Sequence, residues 1–270
     1  MGMPERKLAD VNGIKISYRQ VGAGPDLVLL HGLAGNARTW EKQFESLADC
    51  YRVTAWDAPG YGLSDLVEID AEVYADILNE FIKSIGIDKI ILLGHSMGGI
   101  IAGNFSGRYP QHVRGLILSC TLLGRKQPKG QSLDPKYVAR LKQLDDLSPI
   151  EYGRIRAKTM TAPGCDPVIL EHFAGIAAET RREGLAAAIR VVSEADNEIT
   201  FANLNMPVLV IAGALDQTVT RESTEDMIAA VPDTVPELTV NYLPGVAHAP
   251  YMEDSETYNT VIQEFFSTLR

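Results

Sequence analysis

The stretch Gly94-His95-Ser96-Met97-Gly98 constrains this chain more than any other. It joins the apolar run Lys89-Ile90-Ile91-Leu92-Leu93 to a helix-like segment, Ile100-Ile101-Ala102-Gly103-Asn104-Phe105. A strand must therefore become a helix across a single residue, Ser96. Glycines two positions to either side let strand and helix approach without Cβ clashes. The sharp turn forces Ser96 into a strained backbone and lifts its hydroxyl above the carboxyl end of the strand. The next backbone N–H and a helix N-terminus point at the same place. A bare G-x-S-x-G string is common, but this strand–helix context makes Ser96 a candidate nucleophile.

Around that turn the chain alternates strands and helices. Residues 7–21 alternate apolar and polar about Asn12-Gly13, which predicts a hairpin with Ile14, Ile16 and Tyr18 on one side. Residues 27–30, 52–56, 113–119, 207–212 and 238–243 read as further strands. The continuous apolar run at 27–30 is typical of burial on both faces. Helices are predicted over 39–47, 70–85, 221–231 and 255–269. Trp40, Phe44 and Leu47 share one face of the first, and Val73, Ile77, Phe81 and Ile85 one face of the second, with Gly86 as its stop. This order implies an α/β architecture, a mostly parallel sheet flanked by helices on both faces.

The alternation stops at Thr121. From Gly124 to about Leu204 nothing reads as a strand. Residues 124–132 are a loop by composition, and helices are predicted over 135–144, 149–159, 167–178 and 180–195. The segment reads as a helical insertion between two parts of one core.

Composition narrows the partners. A formal charge of −10 over 270 residues argues against nucleic acid or an anionic membrane surface. No apolar run approaches the roughly 20 residues of a membrane span. The stretch Met1 to Lys7 lacks the apolar core of a secretory signal. Cys50, Cys120 and Cys165 are scattered, with no C-x-x-C spacing. That speaks against a disulfide framework or a zinc site and for a reducing, cytoplasmic location. Cys120 ends an apolar run and reads as a buried structural thiol.

A serine needs a base to take its proton as it attacks. Among the five histidines, His95 adjoins Ser96 and points elsewhere, His112 reads as surface polar, and His172 lies on an insertion helix. His31, with Gly32, heads the loop after its strand and is expected beside the site, packed or touching substrate. His248 lies in Gly245-Val246-Ala247-His248-Ala249-Pro250, past the last strand, at the edge where ligands of such sheets bind. The orienting acid is expected at Asp216, in the loop after the strand ending at Ala212. Asp57 is tied into a Pro-Gly turn and reads as a loop-bracing group, and Ser64 and Asp65 read as turn and cap residues. Met97 supplies one oxyanion N–H as the residue after the serine. Leu33, after His31-Gly32, is the natural second donor. Within the insertion, Met160, Phe173 and Ile176 are candidates for an apolar pocket wall, and Arg125, Arg156 and Arg190 for binding a substrate carboxylate.

Together, His31-Gly32-Leu33-Ala34-Gly35, Asp57-Ala58-Pro59-Gly60-Tyr61-Gly62-Leu63-Ser64-Asp65, Gly94-His95-Ser96-Met97-Gly98-Gly99, Gly213-Ala214-Leu215-Asp216 and Ala247-His248 resemble the α/β-hydrolase superfamily over nearly the whole chain. The order Ser96, Asp216, His248 is that of its catalytic triads. The resemblance implies an eight-stranded core over 1–120 and 204–270, with residues 121–203 as a helical lid after the sixth strand. Within the superfamily the chain is similar to 3-oxoadipate enol-lactonases and small carboxylesterases. This implies hydrolysis of a small, partly apolar ester or lactone by a monomer or homodimer, with no metal or organic cofactor. The same triad serves C–C bond hydrolases acting on vinylogous diketones and cofactor-free oxygenases, and some receptors of the fold keep only the pocket.

Overall fold

Eight strands form one sheet in a computed structural model that describes residues 2–269. They are β1 (Arg6–Val11), β2 (Ile14–Val21), β3 (Asp26–Leu30), β4 (Arg52–Trp56), β5 (Ile90–His95), β6 (Val113–Ser119), β7 (Val208–Gly213) and β8 (Leu238–Leu243). The spatial order is β1-β2-β4-β3-β5-β6-β7-β8. β1 and β2 form the predicted hairpin and β2 runs antiparallel to β4, whereas every other neighbouring pair is parallel. The parallel strands present their carboxyl ends along one edge.

Helices cover both faces. The first three are α1 (Glu41–Leu47), α2 (Ala71–Ser84) and α3 (Met97–Arg108). Between β6 and β7 lie α4 (Pro135–Asp146), α5 (Pro149–Met160), α6 (Pro167–Ala177), α7 (Arg182–Glu194) and α8 (Glu198–Phe201). α9 (Arg221–Ala229), α10 (Pro250–Glu253) and α11 (Ser255–Thr268) complete the chain. Period-two alternation sorts the strand side chains. Val28, Leu30, Leu92 and Leu116 are fully buried on the side of α2 and α3. Leu27, Leu29, Leu93 and Ile117 are fully buried on the side of α1 and α11. Burial of each such side chain stabilises the fold by about 1.5–3 kcal/mol before the entropy of ordering it.

Local chemistry accounts for the insertion helices. α4, α5 and α6 each begin with proline, behind Asp134, Ser148 and Asp166. Proline loses nothing at a first helical position; Asp134 and Asp166 accept from the amides of Lys136 and Val168, and Glu151 accepts from the Ser148 amide. Three details differ from the sequence reading. A 3₁₀ turn, Ala37–Trp40, precedes α1. α2 buries Tyr74, Leu78 and Phe81, leaving Val73 and Ile77 half-buried at the margin, because its apolar stripe is wide and the sheet takes its centre. The short α8 and α10 carry no periodic signal. Among the described residues no helix is long and apolar enough to cross a membrane.

Candidate active site

Ser96 sits between β5 and α3 with φ 54° and ψ −120°, in the left-handed half of backbone space. Such strain persists only where the surroundings over-determine it. Here the Ser96 N–H donates to the Ser119 carbonyl at 2.9 Å, and its own carbonyl accepts from Thr121 Oγ1 at 2.6 Å. The flanking glycines are steric requirements. A Cβ on Gly94 would overlap the Gly98 carbonyl, and one on Gly98 would overlap that of Leu30.

His248 and Asp216 come from the loops after β8 and β7, at the same sheet edge. His248 Nε2 lies 3.1 Å from Ser96 Oγ, and His248 Nδ1 lies 2.7 Å from Asp216 Oδ2. Asp216 Oδ1 accepts from the amides of Thr218 and Val219 at 2.7 and 3.0 Å, leaving Oδ2 for the imidazole. The carboxylate fixes the ring proton on Nδ1, so Nε2 is free to accept from the serine hydroxyl. His248 and Asp216 are both buried.

The histidine loop is held from the other side as well. The His248 N–H donates to the Met160 carbonyl at 3.0 Å. Glu253 Oε1 accepts from the amides of Ala247 and Ala249 at 3.0 and 3.1 Å, and Oε2 from that of Ala162 at 2.6 Å. Burial pushes this carboxyl up despite the three amides that favour its ionised form. His95 packs its ring 4.9 Å from that of His248 and 4.8 Å from Tyr251. Burial and the neighbouring His248 hold its pKa well below the ordinary value, so it stays a neutral aromatic support. Cys120 is buried as expected. Potential metal-ligand atoms of Cys120, Asp216 and His248 lie within 4.8 Å of one another. Burial and the Asp216 carboxylate push the Cys120 thiol up, and the other two groups are committed to each other. That donor set does not suit a metal, which needs a thiolate and a free imidazole.

The loop after β3 approaches Ser96 from behind. A Cβ on Gly32 would stand 3.0 Å from the Ser96 Cβ. The Ala58 N–H donates to His31 Nε2 at 3.0 Å, so the His31 proton sits on Nδ1 and is donated to the Gly32 carbonyl at 2.8 Å. Tyr61 Oη donates to the Leu33 carbonyl at 3.0 Å. With both carbonyls tied back, the Leu33 N–H meets no acceptor among the described residues. Met97 is the first residue of α3, where an amide has no carbonyl of its own helix to meet. Asp57 braces this loop as expected, accepting from Ser17 Oγ at 2.5 Å and the Ala37 amide at 2.8 Å.

A cavity of about 270 Å³ opens at Ser96, and Leu33, Met97, Arg125, Arg156 and Met160 lie on its wall. Four expectations need correction. His31 does not face the cavity, because its ring is fully buried and both nitrogens are occupied by the loop. Gly32 lies behind the serine and acts through its lack of a side chain. Phe173 and Ile176, on α6, are buried in the core cluster and are not on the cavity wall. Arg190 is also off the wall, donating to the Gln131 carbonyl and Glu194. His112 meets Asp88, and His172 meets Glu41.

The sequence reading missed Glu253, Tyr137, Arg140 and Thr218. Arg140 had a signal: it falls on the apolar stripe of α4, three residues from Tyr137 and four from Leu144. Glu253 had none, since its partners at Ala162 and Ala247 are backbone amides.

With this geometry, similarity to known proteins becomes informative. Residues 25–162 match the family described as alpha/beta hydrolase fold. The chain belongs to that family and is an enzyme of its hydrolase class. It is 28% identical to a pimeloyl-[acyl-carrier protein] methyl ester esterase of Vibrio campbellii, over 93% of this chain and 98% of that one. The enol-lactonase from Burkholderia xenovorans superposes with a TM-score of 0.83 at 20% identity, covering 97% of this chain and 100% of that one. A thermophilic esterase from Thermogutta terrifontis superposes with a TM-score of 0.79 at 25% identity, covering 98% and 99%.

Proposed function

We propose that this protein is a serine hydrolase that cleaves small carboxylic esters or lactones through an acyl-enzyme. The observation that carries the reading is the unbroken relay from Ser96 Oγ to His248 Nε2 at 3.1 Å and from His248 Nδ1 to Asp216 at 2.7 Å, with Ser96 on the wall of a cavity. Similarity to an esterase of a methyl ester and to an enol-lactonase supports the same chemistry.

Ser96 Oγ attacks the substrate carbonyl carbon as its proton passes to His248 Nε2. Asp216 stabilises the imidazolium. The amides of Leu33 and Met97 receive the negative charge that develops on the carbonyl oxygen, without having to reorganise. Collapse of the tetrahedral intermediate breaks the C–O bond, and His248 returns the proton to the leaving oxygen. In a lactone that oxygen remains on the acyl chain. Water then attacks the acyl-enzyme, His248 taking its proton and delivering it to Ser96 as the acid is released.

In this reading residues 121–203 are a lid over a core made of 1–120 and 204–270, and the substrate is a small, partly apolar molecule. The three free cysteines support a reducing compartment, in keeping with action in the cytoplasm. Turnover of a panel of short aryl esters, lactones and vinylogous diketones tests the proposal. Ester or lactone hydrolysis should fall about 10⁴- to 10⁶-fold in Ser96→Ala. Equal rates for the two proteins on every ester and lactone would overturn it.

A further inference from the structure

Four cationic side chains, Arg125, Lys136, Arg140 and Arg156, stand on the cavity wall beside Ser96, and no Asp or Glu accompanies them there. In a chain with 35 acidic and 25 basic residues, that is a local reversal of charge. Arginines on the surface behave differently. Arg52, Arg154, Arg182 and Arg221 each meet a carboxylate at 2.5–2.8 Å.

Among the described residues Arg140 and Arg156 have only neutral partners. Arg140 is 8% exposed, and its Nε donates to the Tyr152 hydroxyl at 3.2 Å. Its Nη2 has no partner among the described residues. Arg156 is half-buried, with its guanidinium 5.5 Å from the centre of the Tyr152 ring. Its Nη2 donates to Gln143 Oε1 at 2.9 Å, and its Nε has no partner among the described residues. Burial and the charge of Arg140 push Arg156 down to about 10. Arg125 donates its Nε to the Tyr137 hydroxyl at 3.2 Å. Lys136, at the outer end of the group, has Asp134 at 3.4 Å.

Two like charges withdrawn from water without a counterion are costly, and unsatisfied guanidinium donors add to the cost. Purely structural arginines joining α4 to α5 would be expected to carry a carboxylate partner. We propose that the ligand supplies it: besides its scissile ester or lactone, the substrate carries an ionised carboxylate that docks on Arg140 and Arg156. The planar, forked donors of guanidinium suit a carboxylate. The reactive carbonyl at Ser96 and the anionic end then lie at two points of one cavity, so both the bond cleaved and the direction of binding are selected. This deepens the hydrolase reading and rests on it for the position of the carbonyl.

A binding experiment separates the two. In Ser96→Ala protein, methyl esters can be titrated calorimetrically without being consumed. The probes are monomethyl esters of four- to seven-carbon dicarboxylic acids and the corresponding uncharged dimethyl esters. The charged ester of the best-fitting length should bind about 10–100-fold more tightly than its neutral counterpart, as expected for charge-assisted hydrogen bonds. Adding Arg140→Gln or Arg156→Gln should reduce that preference to within about threefold. Equal affinity for charged and neutral probes, or a preference that survives both substitutions, overturns the proposal. If Arg140→Gln lowers the melting temperature so far that the protein is unfolded during titration, Arg156→Gln decides, since its side chain is the less buried. Failure of the wild type to turn over any ester would count against the hydrolase reading, while the binding preference would still be read.

Discussion

The carboxyl edge of the sheet and the helical insertion face each other across one cavity, yet different forces place their residues. On the sheet side, hydrogen-bonded parallel strands hold Ser96, Asp216 and His248 at their ends. The insertion side has no ladder; α4 to α7 place Arg125, Arg140 and Arg156 through caps, packing and contacts with tyrosines. The reacting groups are therefore fixed by the part of the molecule that tolerates least displacement. The groups proposed to meet the rest of the substrate sit on elements that can change without disturbing the sheet. On that proposal, chemistry and specificity are divided between the two regions.

The largest test of that division lies on the sheet side. Asp216→Asn removes the charge that stabilises the imidazolium and the acceptor that fixes its tautomer, so kcat on a neutral ester should fall about 10⁴-fold. The melting temperature should change far less. A comparable loss from a substitution on the wall of the insertion would break the comparison.

Glu253 is where the two regions meet, because its carboxylate holds Ala162 of the insertion and both neighbours of His248. Glu253→Gln replaces one acceptor oxygen with an NH₂ that cannot accept from an amide. Loosening the histidine loop should lower kcat about tenfold with little change in KM, by analogy with groups that orient a catalytic residue from behind. Steady-state kinetics on one neutral ester reads both. A change in KM alone would place Glu253 with the substrate wall instead.

What was legible in the sequence follows the same line. The strand–serine–helix turn, the loops bearing Asp216 and His248, and the insertion helices opening on Pro135, Pro149 and Pro167 all announce themselves through local spacing and capping chemistry. The stripe of α4 marks Arg140 as buried but not what it faces; Glu253 and the ring of His95 against His248 depend on which elements meet in space. His31 and Phe173 show the converse error. Both lie near the site in sequence or type, yet hydrogen bonds turn one inward and packing absorbs the other.

The smallest effect concerns pH. His31 and His95 are buried, and burial is the main cause of their lowered pKa values. The folded state therefore binds fewer protons than the unfolded state below the ordinary histidine value of 6.5. Stability is full above that pH and declines as pH falls beneath it, by at most about 1.4 kcal/mol per pH unit for each histidine. His95→Phe should flatten the decline measured by denaturant unfolding. An unchanged slope would show that His95 does not contribute to it.

The central claim is that Ser96 is the activated nucleophile, and covalent capture tests it most directly. Wild-type protein treated with a fluorophosphonate should gain the mass of one adduct, mapped by peptide mass spectrometry to Ser96, and Ser96→Ala should gain none. Labelling that persists in Ser96→Ala, or ester turnover by a wild-type protein that is never labelled, would contradict the account.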